Sequence, residues 1–219
     1  MSDPAPIRPG LIIVVSAPSG GGKTSLCQRL LNWSPNIVYS VSCTTRPPRA
    51  GEQHGREYFF LTAEEFEKKI AASEFLEHAK YNQCYYGTPR QFVEEQLAQG
   101  RDVLLAIEVQ GAAKVAESVH RSGFGHTDAL VMIFLMPPSI ELLERRLRQR
   151  GTDDDATIQR RLALAEQEMT HWHEYDYVII SRDLDDDFEQ ARSVVIAEKC
   201  RTSRYPKDTK LWQQKEISF

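Results

Sequence analysis

The chain has 219 residues, 41% apolar and 26% charged, with 27 Lys and Arg against 31 Asp and Glu for a formal net charge of −4. These proportions belong to a globular chain able to bury a core of its own, and the slight acidity argues against a general nucleic-acid binder. No apolar run reaches the length that spans a membrane, so no membrane partner is expected. Cys27, Cys43, Cys84 and Cys200 lie too far apart for a metal-ligand pattern and read as free thiols in a reducing compartment, the cytoplasm. Residues 1–10, rich in proline, are expected to form a flexible lead-in rather than a signal peptide.

Leu11-Ile12-Ile13-Val14-Val15 has the unbroken apolar pattern of a strand buried on both faces of a parallel sheet. Directly after it, Ala17-Pro18-Ser19-Gly20-Gly21-Gly22-Lys23-Thr24 fits the phosphate-binding loop, with Ala17 where Gly is commoner. Small residues let backbone N–H groups curl around an anion, and the helix that follows aims its positive end at the same point. Lys23 then reaches the β- and γ-phosphates while the Thr24 hydroxyl ligates Mg²⁺. The helix is expected from Lys23 to Leu31, ended by Asn32 and Ser34-Pro35.

Val38 to Ser42 alternates as a half-buried strand does. The segment from Cys43 to Glu52 is irregular, and its two prolines stiffen a loop that displays Arg46 and Arg49, a planar-donor arrangement suited to anions. Tyr58 to Leu61 reads as a strand. Thr62 and Glu65 form a capping box for the next helix, with Leu61 stapled onto Phe66. Phe75-Leu76-Glu77 and Tyr85-Tyr86 are short strands, and Thr88-Pro89 is a helix start whose helix runs to Gln99, ended by Gly100.

Val103 to Ile107 is a second buried strand, and Glu108 stands at its carboxyl end, where open α/β sheets bind ligands. A helix over Ala112–His120, a strand over Ala129–Leu135 and the Pro137-Pro138 stop follow. Ser139 caps an Arg-rich helix that ends at Gly151, and Thr152 or Asp153 opens another that carries Arg160 and Arg161. Tyr177 to Ile180 is a fourth buried strand, Asp185 to Cys200 the closing helix, and residues 201–219 a mobile tail. His171 and His173 flank Trp172 with no acidic or thiol partner at ligand spacing, which indicates packing or surface roles. Alternating strands and helices specify an α/β fold with a parallel sheet.

In this order the motifs resemble those of bacterial guanylate kinases, nucleoside monophosphate kinases that phosphorylate GMP with ATP. The resemblance runs from Leu11 to Lys199. It rests on the phosphate loop, Ser42 to Arg49, Gly55-Arg56-Glu57-Tyr58, Tyr85-Tyr86-Gly87-Thr88, Val109-Gln110-Gly111 and the segment from Arg146 to Arg161. It implies a P-loop NTPase-type parallel sheet flanked by helices (residues 11–40, 87–138 and 171–200), a GMP-binding insertion (41–86) and a helical lid (139–170). ATP would lie on residues 17–24. The GMP phosphate would be held by Arg46, Arg49, Tyr58 and Tyr86. Guanine would be read by Glu77 with the Ser42 and Thr88 hydroxyls, and Glu108 would complete the GMP site. Lys23, Arg49, Arg146, Arg150 and Arg161, with Mg²⁺ on Thr24, would neutralise the transferring phosphoryl group.

Two departures from the family pattern stand out. Where the family usually reads Asp-Ile-Asp, this chain has Ala106-Ile107-Glu108, which removes one carboxylate. On the adenine side, Ile180-Ser181-Arg182-Asp183-Leu184-Asp185 replaces the usual Val-Asn-Asp-Asp-Leu-Asp, and a weaker or altered donor preference rather than a loss is expected. The resemblance implies small-molecule nucleotide partners, ATP and GMP (or dGMP), no nucleic acid, and a monomer or small homo-oligomer. Two rival readings are a related kinase of another phosphate acceptor and a non-catalytic guanylate-kinase-like binding module. Glu77 argues against the first, and the retained Lys23, Thr24 and lid arginines against the second.

Overall fold

The computed structural model describes residues 8, 10–81, 83–121, 127–149, 151 and 154–207. In chain order the elements are β1 (Ile12–Ser16), α1 (Lys23–Trp33), β2 (Ile37–Tyr39), β3 (Cys43–Thr44), β4 (Phe59–Phe60), α2 (Ala63–Ala71), β5 (Phe75–Tyr81) and β6 (Cys84–Pro89). They continue with α3 (Arg90–Ala98), β7 (Asp102–Ala106), α4 (Val109–Arg121), β8 (Leu130–Met136), α5 (Ile140–Gln149), α6 (Asp155–Met169), β9 (Tyr177–Ile180) and α7 (Leu184–Lys199).

Five strands make a wholly parallel sheet in the order β2-β7-β1-β8-β9. The apolar runs explain its layers, because successive residues of a strand face opposite sides. Ile13 and Val15 of β1, with Leu104, Ile133 and Leu135, pack against Leu26 and Leu30 of α1 and Ala191 and Val195 of α7. Ile12 and Val14, with Val103, Leu105 and Met132, pack on the other face against Val93 and Leu97 of α3 and Val115 and Val119 of α4. Parallel order sends every βα turn of this sheet to one end, and the loops after β1, β7 and β9 all open there.

A second sheet, β4-β3-β6-β5, is mixed. Its core is aromatic: Phe66 of α2 stacks on Phe75 at 4.4 Å and on Tyr85 at 5.3 Å between ring centroids. Leu76 of β5 is buried in the same cluster as α3, α4 and β7, so it ties the two sheets together. The capping box of α2 forms as expected, with Thr62 Oγ1 accepting from the Glu65 N–H and Glu65 Oε2 accepting from the Thr62 N–H.

Several expectations are corrected. The strand expected over Val38–Ser42 divides: β2 ends at Tyr39 in the parallel sheet, and Cys43 begins β3 in the other. Thr88 does not cap a helix. Strand β6 stays paired through Pro89, so Thr88 lies opposite Glu77 and α3 starts at Arg90. The strand at Tyr177–Ile180 is an edge strand, and only Ile179 enters the core; Val178 and Ile180 are 41% and 44% exposed. The cap of α6 is Asp154, whose side chain accepts from the Thr157 N–H; Thr152 and Asp153 lie outside the described residues.

The chain ends also differ from expectation where they are described. Arg204, expected in a mobile tail, is buried and paired with Glu198, which also accepts from the Tyr177 hydroxyl. Arg8, expected in the flexible lead-in, reaches Asp102 at 3.4 Å; residues 1–7, 9 and 208–219 lie outside the described residues. Asp102, fully buried at the start of β7, accepts from the Leu11 N–H at 3.0 Å and pairs with Lys199 of α7 at 2.6 Å. Replacing Lys199 by Met strips a buried carboxylate of its nearest cation. Urea unfolding of Lys199→Met should show a loss of about 3 kcal/mol, where an exposed ion pair would cost less than about 1 kcal/mol.

Candidate active site

The loop between β1 and α1 turns tightly, with Gly20 at φ 90° and Gly22 at φ 95°, a left-handed conformation that suits glycine. A Cβ on Gly20 would lie 3.0 Å from Leu143 and 3.1 Å from Leu147, so α5 rests directly on the loop. The Ile107 carbonyl, just past β7, accepts from both the Ser16 hydroxyl at 2.9 Å and Lys23 Nζ at 3.0 Å. Burial pushes the Lys23 ammonium below its ordinary pKa, against the opposing pull of Glu108 and Glu168.

Above this loop lies a cavity of about 280 Å³. Its walls are the loop from Ala17 to Thr24 together with Ser42, Tyr58, Glu77, Tyr86, Glu108 and Glu168. Between Phe75 and Glu77 the pairing of β5 with β6 shifts, and such irregularities re-aim side chains beside active sites. Glu77 is 6% exposed and accepts a hydrogen bond from the Thr88 hydroxyl at 2.8 Å. Burial pushes its carboxyl up to about 7; the Thr88 bond opposes this, and the nearby Glu108 carboxylate adds to it. A Cβ on Gly111, in the first turn of α4, would stand 3.3 Å from Glu108 Oε1 and 3.5 Å from Glu77 Oε2. Glycine there leaves both carboxylates room to converge.

Beside the cavity, Arg46 is gripped by Glu52 at 2.9 and 3.0 Å, and its guanidinium lies 5.4 Å over the Tyr58 ring. Tyr58 and Tyr86 meet edge-to-face at 5.9 Å. The hydrogen bond from Arg46 holds the Glu52 carboxyl below its ordinary pKa. Glu52 also accepts from the Arg49 N–H at 2.7 Å, while the Arg49 side chain is exposed.

A second cavity, of about 340 Å³, opens on the other side of the loop and is lined by Gly20, Gly22, Ser25, Arg146, Gln149, Ser181, Leu184 and Asp187.

Of the residues expected to form the site, the loop 17–24 with Ser42, Tyr58, Glu77, Tyr86 and Glu108 is gathered in one cavity, and Thr88 stands behind Glu77. Arg146 lines the second cavity, Arg161 lines neither, and Arg150 lies outside the described residues. Glu168 and Asp187 were not anticipated. Glu168 sits on the buried stripe Ile158-Leu162-Ala165-Glu168 of α6, and a carboxylate at helical spacing on an otherwise apolar stripe was the signal for it. Among the described residues no group of three or more His, Cys, Asp or Glu could hold a metal, and no helix is long and apolar enough to cross a membrane.

Comparison with known proteins agrees with this geometry. Residues 10–198 match the family model for guanylate kinase. A guanylate kinase of Paramagnetospirillum magneticum is 44% identical over 206 residues, covering 93% of each chain. One from Symbiobacterium thermophilum is 48% identical over 195 residues, 89% of each. The crystal structure of guanylate kinase from Anaplasma phagocytophilum superposes with a TM-score of 0.73 at 36% identity, covering 90% of both chains.

The raised Glu77 carboxyl has a signed effect on stability. The unfolded side chain titrates near 4.5 and the folded one near 7, so between these values the folded state holds a proton that the unfolded state has lost. Stability therefore falls as pH rises through that window. Glu77→Gln removes the titration, and its stability relative to the parent chain should rise by about 3 kcal/mol between pH 4 and pH 8, read from urea midpoints at each pH.

Proposed function

The chain belongs to the guanylate kinase family and is a nucleotide-binding kinase, and from that premise we propose that it transfers the γ-phosphate of MgATP to GMP or dGMP, giving ADP and the diphosphate. The observation that carries this reading is Glu77, buried in the same cavity as the phosphate loop and held by Thr88. As a carboxylate it takes two adjacent donors, and guanine offers N1–H beside its 2-amino group. Adenine has no such pair, and leaving a buried polar site unsatisfied costs up to roughly 10⁴-fold in specificity.

The residues divide the work as follows. Residues 41–86 form the acceptor-binding insertion and 139–170 the lid on the core. Ser42, Glu77, Thr88 and Glu108 hold the base side of GMP, while Arg46, Arg49, Tyr58 and Tyr86 take its phosphate. Arg46 is already oriented by Glu52 and by the Tyr58 ring, so the acceptor phosphate exchanges a carboxylate partner for itself rather than ordering a free side chain. The N–H groups of residues 17–24 and Lys23 receive the donor phosphates. Arg146, Arg150 and Arg161 neutralise charge on the transferring group as the lid folds over it. No general base is required, because the attacking GMP phosphate is already ionised.

Magnesium fits this site when it is carried in on the triphosphate. The Thr24 hydroxyl and the Glu108 carboxylate line the cavity with Glu168, whose Oε2 has no hydrogen-bond partner among the described residues. Mg²⁺ is commonly held by one or two protein oxygens plus substrate phosphates rather than by an all-protein cage. Bound there, it would supply neutralisation of the β- and γ-oxygens. The cytoplasm, with its reduced thiols and nucleotide pools, is the compartment this activity needs.

ADP release with MgATP and GMP, dGMP, AMP or UMP as acceptor tests the reading. Turnover confined to the guanine nucleotides is expected, and equal turnover with AMP or UMP would overturn it. Guanine binding also needs Glu77 ionised, so with its pKa near 7 the KM for GMP should fall roughly tenfold from pH 6 to pH 8. Glu77→Gln should raise that KM and abolish this part of its pH dependence.

A further inference from the structure

One cation beside Glu77 has no part in the scheme above. Glu77 lies in β5 just after the point where pairing with β6 shifts, so the ladder leaves its direction less than fully fixed. β5 is also an edge strand, with β6 on one side only. The helix that packs against it is α4, which belongs to the layer over the parallel sheet.

Three contacts of α4 frame Glu77. Leu76, the residue before it, is buried in the cluster that holds Ala112 and Val115. The carbonyl of His78, the residue after it, accepts from Lys114 Nζ at 2.6 Å. A Cβ on Gly111 would come within 3.5 Å of Glu77 Oε2. Gly111 and Lys114 are three residues apart, so one face of α4 meets both the carboxylate and the backbone beside it.

Behind Glu77 the packing is open. A groove of about 320 Å³ lies there, bordered by Ile70, His78, Arg90, Lys114 and Glu117, and Glu77 is in its wall as well as in that of the phosphate-loop cavity. Packing alone therefore does not hold this stretch of β5, and the bond from Lys114 spans the gap between helix and strand. Of the other charges on the groove, Arg90 faces Glu94 at 3.6 Å and Glu117 is exposed. At the Glu77 carboxyl itself, burial raises the pKa most and the Thr88 hydrogen bond opposes it. Glu108 then adds to the rise, and Lys114 subtracts from it.

We propose that Lys114 is a positioning residue for base recognition: fastened on the His78 carbonyl, it holds this stretch of β5 against α4 so that the Glu77 carboxylate is aimed at the two guanine donors. It touches no substrate and acts through Glu77. This rests on the reading that Glu77 takes the guanine base. A buried acceptor has to meet both donors in one geometry, and a site whose supporting contact is lost becomes too loose to do so.

The test compares the parent chain with Lys114→Met, Lys114→Arg, Glu77→Gln and the double variant Lys114→Met/Glu77→Gln, with MgATP as donor and GMP as acceptor. Lys114→Met should raise the KM for GMP by roughly three- to tenfold, the coupling expected of two residues acting as a pair. Its kcat and its KM for ATP should stay within about twofold of the parent. Lys114→Arg, which keeps a charged donor for the His78 carbonyl, should restore most of the affinity. In the Glu77→Gln background, Lys114→Met should add less than about twofold.

An unchanged KM for GMP in Lys114→Met overturns the proposal. So does a rise that persists undiminished in the Glu77→Gln background, which is what a merely structural loss would produce. Lys114→Gln repeats the comparison should the Met variant fail to fold. An unchanged KM for GMP in Glu77→Gln would sink the base reading and this proposal together. A raised KM there, beside an unchanged one in Lys114→Met, would sink the proposal alone.

Discussion

A single carbonyl oxygen organises the reactive end of the molecule. Ile107 leaves β7 with its C=O turned back toward β1, where it accepts from the Ser16 hydroxyl and the Lys23 ammonium. The first bond ties the end of β1 to the residue that follows its neighbour β7. The second fixes the side chain that ends the phosphate loop. Lys23 is half-buried, so its partly desolvated charge needs this dipole, and the turns at Gly20 and Gly22 and the start of α1 lie beside it. Parallel pairing of β1 with β7 makes the arrangement possible, since it brings the carboxyl ends of both strands to one place.

The charges around that point are unevenly distributed. Glu77, Glu108 and Glu168 all face the cavity that holds Lys23, three carboxyls against one ammonium. Burial and mutual repulsion hold the Glu77 carboxyl near neutrality, so the cavity is less anionic than its composition implies. On the other side Arg46 keeps its guanidinium satisfied through Glu52. Lys23 and Arg46 thus each have a resting partner, and ligand groups of matching sign and geometry replace those partners without reorganising the backbone. Such preorganisation is what phosphoryl transfer asks of a protein, since positioning and neutralisation supply most of the rate.

Much of this was legible in the residues themselves. Unbroken apolar runs mark a strand buried on both sides, so β1, β7 and β8 stood out, and the phosphate loop lies between an apolar strand and a helix. The Thr62–Glu65 capping box was readable because its partners lie three residues apart. Misread features depend on partners distant in sequence. Thr88 followed by Pro89 has the local form of a helix start, yet pairing with β5, eleven residues earlier, keeps it in a strand and turns its hydroxyl onto Glu77. The sequence Tyr-Val-Ile-Ile does not say that β9 has a neighbour on one side only. Asp187 sits in a run of acids that resembles a solvated helix start, and only the tertiary contact with Ser181 reveals that one of them is internal.

Asp102 joins segments that lie far apart along the described chain. Arg8 and Lys199, separated by nearly the whole fold, both reach this one carboxylate at the start of β7, the end of the sheet opposite the phosphate loop. One carboxylate thus fastens the segment before β1 and the last turn of α7 to the start of β7. Freeing α7 at that end would strand the Asp102 charge and loosen the entry to β1 in the same event, so the far end of the sheet opens as one unit rather than fraying strand by strand.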